Sequence, residues 1–197
     1  MKKILSVMFL LCLFLIPQIV SAEKTDFDDK SFNFKAVRKI VVRDLKSEVS
    51  LSGVGAIQQQ KLLANYRDNM KKLKKAEVVT EGDGDLIVEC KIKNWKDDYY
   101  IVPEHTVWEQ KKMYRTRRDR DGNKYQEDYY ITVPVTYPPR RVDTSTLVVD
   151  FEVFDARTGK MVFGREDDRT REDGNAQIGM FGRMCNSFFS DLNKKLK

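Results

Sequence analysis

Ile4 to Val20 is an almost unbroken apolar run, interrupted only by Ser6, Pro17 and Gln18. Lys2 and Lys3 precede it, and Val20-Ser21-Ala22 follows with the small residues a signal peptidase reads. The apolar core, Ile4 to Ile16, falls short of the roughly 20 residues a helix needs to span a bilayer, and Pro17 breaks it before the cleavage site. The pattern predicts a Sec-type signal peptide over 1–22, cleaved after Ala22, with a membrane anchor as the alternative. Leu11 stands before Cys12, where a lipid-attachment cysteine calls for a small residue. No later segment is apolar enough to cross a membrane, so the expected location is extracytoplasmic, either periplasmic or secreted.

Beyond the leader, residues 23–35 are polar and acid-rich and read as a lead-in. Ala36 to Leu45 is rich in β-branched residues and predicts a strand. After the Ser/Gly break of 50–55, Leu63, Tyr66, Met70 and Leu73 recur at helical spacing and predict a helix over 56–75. A short strand is expected at 77–80, then a turn at 81–84. Leu86, Val88, Cys90 and Ile92 alternate with Ile87, Glu89, Lys91 and Lys93, the period of a half-buried strand. Leu147, Val149, Phe151 and Val153 repeat it, and Asp155 to Gly159 turns the chain into a partner strand over 160–165. Phe181, Met184, Cys185, Phe188, Phe189 and Leu192 form one stripe on a closing helix over 176–196. The expected class is α+β. A single mixed or antiparallel sheet carries two helices on one face in β-α-β-β-β-α order, with a long protruding β-hairpin inserted at about 96–142. Residues 23–197 suit one domain.

Composition alters this picture mainly between 95 and 141. Seven of the eight tyrosines and both tryptophans lie there, interleaved with lysine and arginine. Asp119 to Asn123 is rich in turn formers and sits between two strand-like stretches, 106–116 and 125–135. Tyrosines stabilise such a ribbon through cross-strand pairs. Tyr, Trp and Arg are also the residues enriched at binding hot spots. Candidate binding residues are therefore Trp108, Tyr114, Arg115, Arg117, Arg118, Tyr125, Tyr129 and Tyr130. An envelope protein or a cell-wall glycan is the expected partner, and the hairpin edge offers a route to a homodimer.

Charge excludes less. The formal charge of +6 becomes +4 without Lys2 and Lys3, and both signs are interleaved, which is not a nucleic-acid footprint. Cys90 and Cys185 remain after cleavage. An even pair in an oxidising compartment invites a disulfide, and two separately buried thiols are the other reading.

Catalytic signatures are missing. His105 is the only histidine, and no Gly-x-Ser-x-Gly elbow is present. Asp119-x-Asp121-x-Asn123 starts like a calcium loop but has its glycine at the fourth place and Tyr130 where a glutamate is needed. Gly53-Val54-Gly55 lacks the third glycine of a dinucleotide loop. No metal site and no cofactor are expected, and the chain reads as a non-enzyme. The carboxylate pairs Asp83/Asp85, Asp97/Asp98 and Asp167/Asp168 leave a glycan hydrolase as an alternative. A self-associating structural protein is another.

Asp26-Phe27-Asp28, Thr146 to Phe163 (TLVVDFEVFDARTGKMVF) and Gly84 to Ile92 (GDLIVECKI) resemble small exported bacterial envelope domains of unknown function. The last segment is similar to the post-helix strand of domains related to the amino-terminal domain of the Tol-Pal protein TolB. The resemblance covers roughly 26–95 and 143–197. It implies a β-α-β-β-β-α core and an accessory or interaction role, and it brings no catalytic residues. The aromatic hairpin departs from it.

Overall fold

The computed structural model describes residues 22–197. The apolar run and charged start of the expected leader lie outside the described residues. In chain order the elements are β1 (Ala22–Asp28), β2 (Lys39–Val42), β3 (Lys46–Ser47), α1 (Ala56–Met70), β4 (Glu77–Val79), β5 (Leu86–Val102), β6 (His105–Arg118), β7 (Lys124–Tyr137), β8 (Arg140–Asp155), β9 (Met161–Arg171) and α2 (Gln177–Lys195). Seven strands form one sheet in the order β1-β9-β8-β5-β2-β4, with β3 beside β5, and β6 and β7 form a second sheet. β2 runs parallel to β4 and β5, while β1 and β8 run antiparallel to β9. The class is α+β with a mixed sheet and two helices. No helix among the described residues is long and apolar enough to cross a membrane. The chain divides into two compact units, one formed by residues up to Asp98 with Asp143–Lys197, the other by Tyr99–Val142.

The core of the larger unit follows from the two strand alternations. Leu86, Val88, Cys90, Ile92, Leu147, Val149, Phe151 and Val153 have no exposed surface. They join Phe181, Met184, Phe188, Phe189 and Leu192 of α2 and Leu62 and Tyr66 of α1 in a single cluster. Phe188 stacks on Phe151 and Phe163 with ring centroids 4.5 and 5.6 Å away. The opposite faces of β5, β8 and β9 carry an ion lattice. Lys91 bridges to Glu152 at 2.5 Å, and Lys93 lies 3.6 Å from Asp150 and 3.3 Å from Glu166.

Three sequence expectations need correction. The acid-rich lead-in begins as β1, paired from Ala22↔Arg169 to Asp28↔Phe163. Its acids meet cations that hold them in a strand: Arg165 Nε donates to Asp26 at 2.6 Å, and Lys195 reaches Asp28 at 2.8 Å. The inward stripe of α1 uses Leu62, Tyr66 and Asn69, whereas Leu63 is exposed. The helix ends at Met70 because the N–H groups of Lys72 and Leu73 turn back to the carbonyls of Asn69 and Met70, which drops Leu73 into the core. The element order gains β1 before, and β3 after, the expected first strand, and four strands of the main sheet (β4, β5, β8 and β9), not three, lie between the helices. Of the two readings of the cysteines, the structure holds Cys90 and Cys185 as free buried thiols. Burial pushes both thiols above their ordinary range, so neither carries thiolate character.

Candidate functional site

The unit Tyr99–Val142 holds the ribbon singled out by its aromatic and basic content. β6 and β7 pair antiparallel without interruption from His105↔Tyr137 to Arg118↔Lys124. The reversal at Asp119–Asn123 is built by one carboxylate. Asp119 Oδ1 accepts from the backbone N–H groups of Asp121 at 2.9 Å and Asn123 at 2.8 Å, and Gly122 takes the left-handed φ of 86° that the turn requires. Those backbone donors hold the Asp119 carboxyl below its usual range.

Side chains alternate between faces along a strand, and the register sorts the ribbon into two chemically different surfaces. The odd-numbered face carries Val107, Met113, Ile131, Val133 and Val135, along with Tyr125, Tyr129 and Tyr137. Met113 and the odd residues from Glu127 to Val135 are half-buried. On this face Glu127 accepts from Arg115 Nε at 2.6 Å and lies 2.5 Å from Arg117 Nε. The Arg115 hydrogen bond is the main cause of its lowered carboxyl pKa. Arg115 also sits 5.3 Å from the centre of the Tyr129 ring. The Tyr137 hydroxyl donates to Glu109, and the His105 ring stacks on Tyr137 at 5.5 Å.

The even-numbered face carries no open-chain aliphatic side chain, only the ring of Pro134 opposite Trp108. It presents Trp108, Tyr114 and Tyr130, which are 70%, 59% and 63% exposed. Between them lie Gln110, Thr132, Thr116 and Gln126. Lys112 pairs with Asp128 at 2.5 Å and lies 5.2 Å from the Tyr114 ring centre. At the turn end Arg118 stands directly opposite Lys124.

The eight expected binding residues therefore divide evenly. Trp108, Tyr114, Arg118 and Tyr130 share the even face, and Arg115, Arg117, Tyr125 and Tyr129 share the odd face. Gln110, Lys112, Lys124 and Thr132 lie on the even face too and were not among the eight candidates. Period-two alternation counted outward from Asp121 at the centre of the turn would have found them.

Several of the residues weighed for catalysis make structural contacts. His105 Nδ1 is 3.1 Å from the Pro103 carbonyl, beside its stacking contact. Asp85 accepts from the N–H groups of Arg38 and Lys39 at 2.8 and 3.0 Å. Asp97 accepts from Gln177 Nε2 at 2.6 Å and Ser145 Oγ at 2.9 Å, fixing the start of α2. Asp167 is buried and held by Arg169 at 2.7 Å. A groove of about 560 Å³ in the larger unit has Asp29, Asp85 and Asp155 in its lining. All three carboxylates serve as acceptors for neighbouring backbone or hydroxyl donors. Among the described residues no group of three His, Cys, Asp or Glu side chains is placed to hold a metal ion.

No protein-family model matches the chain, and no curated protein matches it. Among solved structures, a point variant of the PelC dodecamer from Paraburkholderia phytofirmans is similar over 88% of this chain and 98% of that one, at 10% identity and a TM-score of 0.46. A second crystal form of the PelC dodecamer gives 89%, 97%, 10% and 0.45 for the same quantities. A PDZ domain protein from Parabacteroides distasonis is 9% identical, covering 92% of this chain and 37% of that one, with a TM-score of 0.38. These likenesses are too slight to assign a function.

Proposed function

We propose that this chain is an exported, non-enzymatic binding or assembly module of the bacterial envelope, and that its contacts lie on the β6–β7 ribbon. The observation that supports this most is the exposure of Trp108, Tyr114 and Tyr130 together on one ribbon face. Large aromatic side chains held in water forgo roughly 1.5–3 kcal/mol each of burial energy. Grouped on a regular strand pair beside arginine, they form the kind of surface on which binding energy concentrates. The signal-peptide pattern of residues 1–22 supports the compartment, and the partner is an envelope protein or a cell-wall glycan.

The triple substitution Trp108→Ala, Tyr114→Ala, Arg118→Ala tests this reading. All three side chains are solvent-exposed and on the same face, so unfolding should shift by less than about 1 kcal/mol per site. Partner capture from the envelope fraction is expected to fall at least about tenfold. Undiminished capture by a variant with unchanged circular dichroism would remove the ribbon from consideration.

A further inference from the structure

We infer that the even-numbered face of the ribbon binds an extended acidic polysaccharide, laid along the strands with carboxylates at the Arg118–Lys124 end. This rests on the ribbon being the functional surface and names its ligand. The first argument is the sorting of side chains. Every open-chain aliphatic residue of the paired strands lies on the odd face, while the even face, with Pro134 as its one aliphatic ring, sets aromatic rings among amides, hydroxyls and the Lys112–Asp128 pair. A lipid surface or an apolar peptide would need broad aliphatic cover or a hydrophobic pocket, and Pro134 alone supplies neither. A sugar ring suits it, since its C–H face packs on an indole or phenol and its hydroxyls bond to Gln110, Thr132, Thr116 or Gln126. From Trp108 to Arg118 the strand spans roughly 34 Å at the usual rise of about 3.4 Å per residue, room for several sugars in a row.

The second argument is charge. Arg118 faces Lys124 directly across the ribbon, and like charges in that position destabilise a strand pair. Among the described residues, no carboxylate lies within ion-pair distance of Arg118, Lys124 or the neighbouring Arg120. The one carboxylate on this face, Asp128, is held by Lys112. An anionic group on the ligand relieves that repulsion. A single-stranded nucleic acid also stacks on aromatics, but it brings a phosphate at every step. Short of the Arg118–Lys124 end, the even face offers only Lys112, already paired, to meet them. Spaced carboxylates on a neutral backbone match the distribution better.

The probe is hyaluronan, which carries a carboxylate on alternate sugars, with dextran as the neutral comparison and a thymidine oligonucleotide as the nucleic-acid comparison. Binding is measured with the protein expressed with its own leader and purified. The expected order is hyaluronan first, with both comparisons at least about tenfold weaker. Trp108→Ala with Tyr114→Ala is expected to cost at least about tenfold. Arg118→Gln with Lys124→Gln is expected to cost about tenfold and to flatten the salt dependence. Val107→Thr with Val133→Thr on the odd face should leave affinity within about twofold. Absence of hyaluronan binding overturns the inference. So does equal loss from the odd-face pair, or tighter binding of the oligonucleotide. If hyaluronan fails while the Trp108, Tyr114, Arg118 variant still loses its envelope partner, the ribbon reading stands and only the ligand class falls.

Discussion

Replacing Phe188 with alanine is expected to lower the unfolding free energy of the larger unit by about 3–5 kcal/mol. The ring has no exposed surface and stands where α2 meets the sheet. It stacks on Phe151 at 4.5 Å and on Phe163 at 5.6 Å, and meets Phe189 edge-on at 5.3 Å. Alanine removes the transfer energy of the ring and leaves a cavity between β8, β9 and α2 that these rigid neighbours close only in part. Urea unfolding followed by circular dichroism should show a lower midpoint with an unchanged slope. Ile57→Ala is the comparison, because Ile57 on α1 is 70% exposed and its loss should change stability by no more than about 0.5 kcal/mol.

The second large effect belongs to Arg165, whose side chain is only 2% exposed. Its guanidinium donates to Asp26 at 2.6 Å, to Ser187 Oγ at 3.2 Å and to Asp191 at 2.9 Å, so one buried cation ties β1, β9 and α2 together. Arg165→Met keeps the length and removes the donors. Asp26 and Asp191 are 40% and 31% exposed and can rehydrate when the cation goes. The expected cost is therefore about 2–3 kcal/mol, below the 3–5 typical of a fully buried broken pair. The pH dependence gives a separate signature. Burial pushes the Asp26 carboxyl up, but hydrogen bonds from Arg165 and Lys24 outweigh it and hold the pKa below the ordinary 3.8. Asp191 is lowered in the same way, with burial opposed by Lys194 and Arg165. A depressed folded pKa contributes stability above the unfolded value, and that contribution is lost as pH falls through the folded one. The gap between wild type and Arg165→Met should accordingly be full at neutral pH and narrow below about pH 4. A gap that stayed constant down to pH 2 would show that the cation does not act through these carboxylates.

What the sequence disclosed depended on whether a single periodicity ruled a segment. In β5 and β8 the alternation of Leu86–Ile92 and Leu147–Val153 put every expected core residue inside. The stripe of α2 did the same, because six large apolar side chains at helical spacing leave one way to face a sheet. Adjacent Leu62 and Leu63 in α1 offered two stripes one residue apart, and only packing chooses between them. β1 was hidden for an electrostatic reason. Its Asp26 and Asp28 look like solvated loop acids until Arg165 and Lys195, far along the chain, come alongside. In the ribbon, composition marked the region but mixed two faces. The set of eight candidates became two sets of four once the register about Asp121 was fixed. The cysteines left two readings open in the sequence, a bond or two buried thiols, and the structure holds them as free thiols.

The central claim is that the ribbon carries the function. Cross-linking and capture from the protein's own envelope fraction test it most directly, comparing the full chain with a version in which residues 104–137 are replaced by an Asn-Gly turn. Two-residue Asn-Gly loops suit a tight strand reversal, and circular dichroism checks that the larger unit remains folded. The account predicts a partner captured by the full chain and lost from the shortened one. Capture of the same partner by both would contradict it and move the function to the sheet or helices of the larger unit. Cross-linking of the full chain only to itself would contradict the envelope-partner reading in favour of self-association.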